Sequence, residues 1–355
     1  MNQALVHKIA SAVLYEGYIL YPYRPSVKNR QRWTFGGLVP RTYSQSQGEA
    51  EPWEMQTECL MTGGAGTAIS VSVRFLQLVG RLIGKYPEPQ PEWPPEGAIP
   101  CPIVECLRVG DDVYYTWQEA VEQAIDLGDL NLGALVVQPL RREFAFESRR
   151  ERQPLRDPEG MVLGELVRER RRIEGTVAVG ADKGTDGVFR VSVKIQNHTP
   201  VDDDFAASRD EALMHGLVST HSVLSIRDGE FVSMIDPPEP YRGLAASCRN
   251  VGCWPVLVGD AGDKDTILSA PIILYDYPQI APESPGELFD GTEIDEILTL
   301  RIMTLTDDEK VAMAAVDERA RAVLARTESL GNEQMLGLHG TFRGLQRFTG
   351  DRNHE

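Results

Sequence analysis

Two cysteine pairs carry the most compact candidate chemistry in this sequence: Cys101 with Cys106, and Cys248 with Cys253, each pair separated by four residues. A zinc or iron–sulfur centre takes four thiolates, so two such pairs supply a full set if the fold brings them together. The spacing is atypical of a tight metal knuckle, and the competing reading is thiols buried as small apolar side chains, as for the lone Cys59. His198, His215 and His221 lie near Asp202, Asp203 and Asp204 in sequence and offer a hydrolytic metal site as a second possibility. No HExxH or HxH pattern accompanies them, which favours structural histidines. A GxSxG elbow, a catalytic Cys–His signature and a GxGxxG opening a helix are all missing, and Gly63-Gly64-Ala65-Gly66 lacks both the lysine and the helix of a phosphate-binding loop.

Two further groups suit recognition better than catalysis. Tyr15, Tyr18, Tyr21 and Tyr23 run into Arg24, Lys28, Arg30, Arg32 and Trp33, a mixture of phenols, cations and an indole that can hold a ligand or partner by cation–π and hydrogen-bond contacts. The plainer alternative is an edge strand followed by a solvated basic loop. Farther along, Glu287, Asp290, Glu293, Asp295 and Glu296 set five carboxylates within ten residues, next to Leu288, Phe289, Ile294, Ile297 and Leu298. Such a run can bind a hard cation, dock a basic partner, or be an ordinary solvated face.

The whole chain has 355 residues, 42% of them hydrophobic, enough for a sizeable core in one large or two ordinary domains. Its formal charge of −17 repels a phosphate backbone, so neither nucleic acid nor an anionic membrane is an expected partner. The N-terminus lacks the order of a signal peptide, no run approaches eighteen apolar residues, and five cysteines are an odd number. The expectation is a cytoplasmic protein with free thiols.

The elements that must position these groups read as α+β, mainly β: sandwich-like antiparallel sheets with a few peripheral helices and a C-terminal helix. Leu5, Ile9, Ala12 and Val13 predict a helix over residues 2 to 14. Two β-rich runs between Glu54 and Leu82 flank the glycine run as a hairpin, and seven prolines in 87–102 make a loop. Thr116-Trp117-Gln118-Glu119 matches a capping box, with Ala120, Val121, Ala124, Ile125 and Leu127 as the stripe of a helix ended by Gly128. Ala134–Val137 and Phe144–Phe146 read as strands, and the arginine-rich 147–172 as an exposed, partly helical connector. Ile173–Val179 and Val188–Ile195 alternate as a hairpin with one wet and one buried face. Ser208-Arg209-Asp210-Glu211 caps a short helix, Leu217–Ile226 and Phe231–Ile235 form a hairpin around Asp228-Gly229, and Trp254–Val258 is a strand. Pro271–Tyr275 reads as a buried strand with Leu274 to Leu300 as a structural hub, Thr299–Leu305 as another strand, and Thr306-Asp307-Asp308-Glu309 as a final capping box. The expected division is 1–146, a β-rich lobe; 147–172, the connector; and 173–355, a sandwich-like body with a C-terminal helix and mobile tail.

Three runs together, Leu14–Arg24, Cys248–Gly259 and Leu274–Thr306, resemble an uncharacterised bacterial family associated with the operons of actinobacterial-type, oxygen-tolerant nickel–iron hydrogenases. The resemblance covers the N-terminal quarter and the C-terminal half best. It implies an accessory or maturation role, through gene company rather than chemistry, and supplies no catalytic residues. The expected function is thus a non-enzymatic accessory protein that binds a hydrogenase subunit or assembly intermediate. Its partner-binding candidates are Tyr15, Tyr18, Tyr21, Tyr23, Arg24, Trp33, Asp290, Glu293, Asp295 and Glu296. The alternative is a metal-binding enzyme or metal carrier using Cys101, Cys106, Cys248 and Cys253 or the histidines.

Overall fold

In the structure, a computed structural model describing residues 3–19, 36–184, 187–201, 208–279, 302, 305–306, 310 and 318–329, the longest element is a strand of 37 residues, Glu54–Gln90. At about 3.3 Å per residue it would reach roughly 120 Å if straight, so it must bend, and it changes partners along both edges. The elements in chain order are α1 (Gln3–Ile19), α2 (Arg41–Ser46), β1 (Glu54–Gln90), β2 (Ile103–Val104), β3 (Cys106–Val109), β4 (Asp112–Tyr115), β5 (Trp117–Asn131), α3 (Leu132–Val137), β6 (Leu140–Phe146), β7 (Arg149–Arg156) and β8 (Val162–Arg170). There follow β9 (Ile173–Lys183), β10 (Val188–Asn197), α4 (Arg209–Met214), β11 (Val218–Phe231), α5 (Arg242–Ala246), β12 (Trp254–Leu257), β13 (Thr266–Ala270) and α6 (Glu318–Ser329).

The first part of β1, Glu54–Thr62, pairs with β10, and Met61–Leu76 pairs with β11. Ala68–Arg81 then pairs with β5, and Val79–Gln90 with β8. Where two partners overlap on the same residues they must lie on opposite edges, so β10 and then β5 occupy one edge, β11 and then β8 the other. All these pairings are antiparallel, and the strand order β12-β13-β11-β1-β10-β9-β6 runs through them. The protein is mainly β, as the sequence predicts.

Alternation does the rest. Met55, Cys59, Met61, Ile69, Val71, Val73 and Phe75 of β1 face a single apolar core with Val177 and Val179 of β9, Val191 and Val193 of β10, and Leu224 and Ile226 of β11. Ile125 and Leu127 of β5, with Leu132 and Leu135 of α3, close it. β10 and β5 follow one another along one edge of β1, and both contribute side chains to this one core. On the outer surface, Val6, Ile9, Ala10 and Val13 of α1 cover Val256, Val258, Leu268 and Ala270, while Leu14 and Tyr15 cover Leu76, Leu78 and Val218.

Several expectations change. The glycine run is no hairpin: Gly63 pairs with Gly229 and Ala68 with Arg227, so residues 64–67 bulge opposite Asp228. Thr67 Oγ1 fills the bulge, accepting from Gly64 N at 3.0 Å and donating to Asp228 O at 2.7 Å, and Asp228 sits at φ 60°. Asp228-Gly229 is the other side of that same bulge, and β11 runs straight through it. Residues 117–131 form β5 rather than a helix, while Leu132–Val137 is helical, its amide at Ala134 capped by Asn131 Oδ1 at 2.9 Å. The arginine-rich 147–172 is not a connector but the β7/β8 hairpin, joined to β1. α1 runs on through Ile19, past the helix expected over 2 to 14. Pro271–Tyr275 is not a strand; the buried strand is β13 before it, and Ile273 is 73% exposed although Leu274 is buried. Of Thr299–Leu305, only Ile302 and Leu305 are described, and Leu305 N donates to Ile302 O at 3.1 Å in a helical turn. The β9/β10 hairpin, β12 and the capping box at Ser208 stand where expected.

Candidate functional site

Among the described residues β12 is an edge strand, paired only with β13. Two devices shield its open side. Pro255 contributes no N–H, the usual use of proline at a sheet edge, and the chain after β13 folds back over Leu257. There Asp276 Oδ1 accepts from Leu257 N at 2.8 Å, and Tyr277 N donates to Leu257 O at 2.7 Å. Asp276 Oδ2 also accepts from Ser233 Oγ, and Tyr277, held at φ 56°, donates its phenol to Asp263 O at 2.9 Å. One carboxylate thus ties three segments together.

Those segments carry large apolar side chains into solvent. Trp254 on β12, Ile235 just beyond Ser233, and Ile273 and Tyr275 beside Asp276 are 42%, 49%, 73% and 84% exposed. Leu274, between the last two, turns inward among Val256, Val258 and Leu268 under α1. Large apolar groups held outward on a tied-down backbone are what interaction surfaces present. Sequence reasoning missed this because the run 271–275 is apolar throughout; Asp276 and Pro255 were the signals that it covers an edge instead of joining the ladder.

The two cysteine pairs do not form one four-thiolate set. Cys253 lies in the central core, with Sγ 3.2 Å from Thr57 Oγ1 and 3.1 Å from Gln56 O, whereas Cys248 packs on the other face of β1 with Leu60 and Ala245. Cys106 is exposed on β3, and Cys101 lies against Gly84, where a Cβ would meet its sulfur at 2.6 Å. Burial pushes the Cys59, Cys101, Cys248 and Cys253 thiols above their usual range. Among the described residues no three His, Cys, Asp or Glu side chains are grouped to hold a metal ion. The His198 ring meets that of Trp53 at a tilt of 56°, centroids 5.7 Å apart, with Nε2 3.2 Å from Thr176 Oγ1; burial and the Arg141 and Arg41 guanidiniums lower its pKa. Burial lowers that of His215 also.

Tyr15 is buried and belongs to the core beneath α1. Tyr18 falls within α1; Tyr21, Tyr23, Arg24, Trp33, Asp290, Glu293, Asp295 and Glu296, together with Asp202 to Asp204, lie outside the described residues.

A second chemistry-bearing cluster sits under the proline-rich loop. Glu165 Oε2 on β8 accepts from Tyr86 at 3.2 Å, from Trp93 Nε1 at 3.3 Å, and from Arg152 Nε at 3.1 Å, with Arg152 Nη2 closer still. Arg152 also lies 5.0 Å from the Trp93 ring centroid. Burial, followed by the Glu165 charge, pushes the Tyr86 phenol up to about 12. With so many donors converging on one oxygen, the cluster serves to hold the loop down.

No protein-family model matches the chain, and a search of curated proteins returns no match.

Proposed function

We propose that the chain is a non-enzymatic accessory protein that recognises a nickel–iron hydrogenase subunit, or an assembly intermediate of one, through the apolar group at the β12 edge. The observation that carries the binding reading is the outward display of Trp254, Ile273 and Tyr275 on a backbone fixed by Asp276. Aromatic anchors on rigid backbone lose little entropy on docking and dominate interface energetics. The carboxylates Asp290, Glu293, Asp295 and Glu296 follow the same segment in sequence and add the charge that orients a basic partner. Tyr18, Tyr21, Tyr23, Arg24 and Trp33 add a second aromatic and cationic run. The choice of hydrogenase rests on the resemblance of Leu14–Arg24, Cys248–Gly259 and Leu274–Thr306 alone. The proposed setting is the cytoplasm, consistent with five free cysteines; no described helix is long and apolar enough to cross a membrane.

The test is co-purification from cells making the hydrogenase. The tagged wild-type chain is expected to enrich one of its subunits, and Trp254→Ala with Tyr275→Ala to lose it while keeping the melting temperature. Enrichment of neither subunit at mild salt removes the hydrogenase reading, and an unimpaired double variant removes the β12 edge as the surface.

A further inference from the structure

One imidazole in this protein is sealed beneath α1 without a partner for half of its polar atoms. His221 on β11 is fully buried; its Nδ1 lies 3.1 Å from Ser219 O, and among the described residues its Nε2 meets no hydrogen-bonding group. A bulge aims it there. Arg74 pairs with His221 and Leu76 with Val218, so two residues of β11 oppose one of β1, with Ser219 in the left-handed region at φ 52°. Directly opposed residues share a face, and this is the face under α1. Arg74 Nη2 donates to Ser11 Oγ of α1 at 3.0 Å, and Ser219 Oγ lies 3.5 Å from Val13 O.

The charged surroundings are one-sided. Arg74 of β1 faces the imidazole, and the Glu122 carboxylate of β5 is already engaged by Arg74 Nε at 2.9 Å. From α1 come Ser11 and, on its exposed side, His7 and Lys8; β13 presents apolar Leu268 and Ala270, and α4 presents Ala212 and Leu213. Among these described neighbours no second carboxylate stands ready to accept a proton from His221.

We propose that α1 is a releasable cover, lifting from the sheet when His221 takes up a proton and so uncovering the apolar face of β11, β13 and β12. With α1 seated, burial, opposed only in part by the bond to Ser219 O and reinforced by Arg74, holds the imidazole neutral, its pKa lowered to about 4. With α1 lifted the ring meets water and recovers its ordinary affinity for a proton, so acid favours the lifted form. The face uncovered includes Val223, Val256 and Val258, and it adjoins Leu274, whose neighbours Ile273 and Tyr275 are exposed in the seated form.

Hydrogen exchange of the full chain, followed by mass spectrometry at pH 7 and pH 5 and corrected for intrinsic rates, tests this. Peptides from α1 are expected to lose roughly 20-fold in protection relative to those of β9 and β10, the ratio given by an imidazole that titrates normally only when released. His221→Gln should abolish the difference. Equal protection of α1 at both pH values, or the same loss in His221→Gln, overturns the proposal. Should that variant not fold, the wild-type chain still decides: α1 release and the His221 imidazole resonance must share one pH midpoint, and separate midpoints refute the link.

Discussion

Trp93 and Glu165 meet at 3.3 Å, indole Nε1 to carboxylate Oε2, and this contact fastens the proline-rich loop to β8. Because Arg152 and Tyr86 converge on the same oxygen, Glu165→Ala leaves a guanidinium, a phenol and an indole without their shared acceptor. The Arg152 and Glu165 side chains are only 15% and 8% exposed. Breaking such a buried pair from one side costs about 3–5 kcal/mol, which urea denaturation should register. Glu165→Gln, which keeps an acceptor, should cost less. A loss below about 1 kcal/mol for the alanine variant would show the loop to be held by other means.

Stability should fall in mild acid, and His221 gives the sign. Its folded pKa is depressed to about 4, so above the ordinary imidazole range near 6.5 both folded and unfolded forms are neutral and nothing is lost. As pH falls from there toward 4, the unfolded chain binds a proton that the folded chain refuses, and stability declines by up to about 1.4 kcal/mol per pH unit. Burial shifts His198 and His215 in the same direction, adding to the trend. Chemical denaturation at pH 7 and pH 5 should differ by about 2 kcal/mol from His221 alone. In His221→Gln the difference should shrink by that amount; an unchanged slope would place the acid sensitivity elsewhere.

The elements legible in the sequence were those whose local signals agree with their tertiary use. In the β9/β10 hairpin, Phe189, Val191, Val193 and Ile195 alternate because one face is core and the other is wet. At α4, Ser208 Oγ accepts from Glu211 N while Glu211 reaches back to Ser208 N. β5 failed because a tertiary partner overrode a local signal. Its Thr116-x-x-Glu119 has the letters of a capping box, but Thr116 Oγ1 donates to Val104 O and accepts from Ile83 N, and Glu119 pairs with Arg81 and Arg168 across the sheet. Cross-strand pairs of the same kind account for Arg150 and Arg152 in 147–172, which lie on a hairpin opposite Glu169 and Glu165. The surface around Trp254 depends on contacts between segments more than twenty residues apart, such as Ser233 with Asp276, which periodicity along one segment does not reveal.

Thiol reactivity should follow burial rather than sequence pairing. Cys106 is exposed, Cys101 and Cys248 are half-buried, and Cys59 and Cys253 are buried with thiols shifted upward. Because the thiolate is the reacting form, N-ethylmaleimide at pH 7.5 should modify Cys106 first and Cys59 and Cys253 only in denaturant. Mass spectrometry of tryptic peptides reads the order. Modification of Cys59 at the Cys106 rate in native buffer would contradict the core placement of β1.

Adjacent residues on the chain covering β12 should separate stability from recognition. Leu274 is buried with Val256, Val258 and Leu268, so Leu274→Ala should cost about 2–5 kcal/mol, as large-to-small core changes do. Ile273 and Tyr275 flank it in solvent, and Ile273→Ser or Tyr275→Ser should shift stability by no more than about 0.5 kcal/mol, the usual range for surface changes away from packing. If the exposed pair anchors a partner, the serine variants should still weaken binding at least tenfold, since truncated anchors cost more than about 1.4 kcal/mol. Calorimetric melting and titration against the captured partner measure the two effects side by side. Should the serine variants bind as wild type, recognition must be sought instead at Tyr18, Tyr21, Tyr23 and the carboxylates of 290–296; should they melt early, the segment is part of the core after all and its exposure has no bearing on partners.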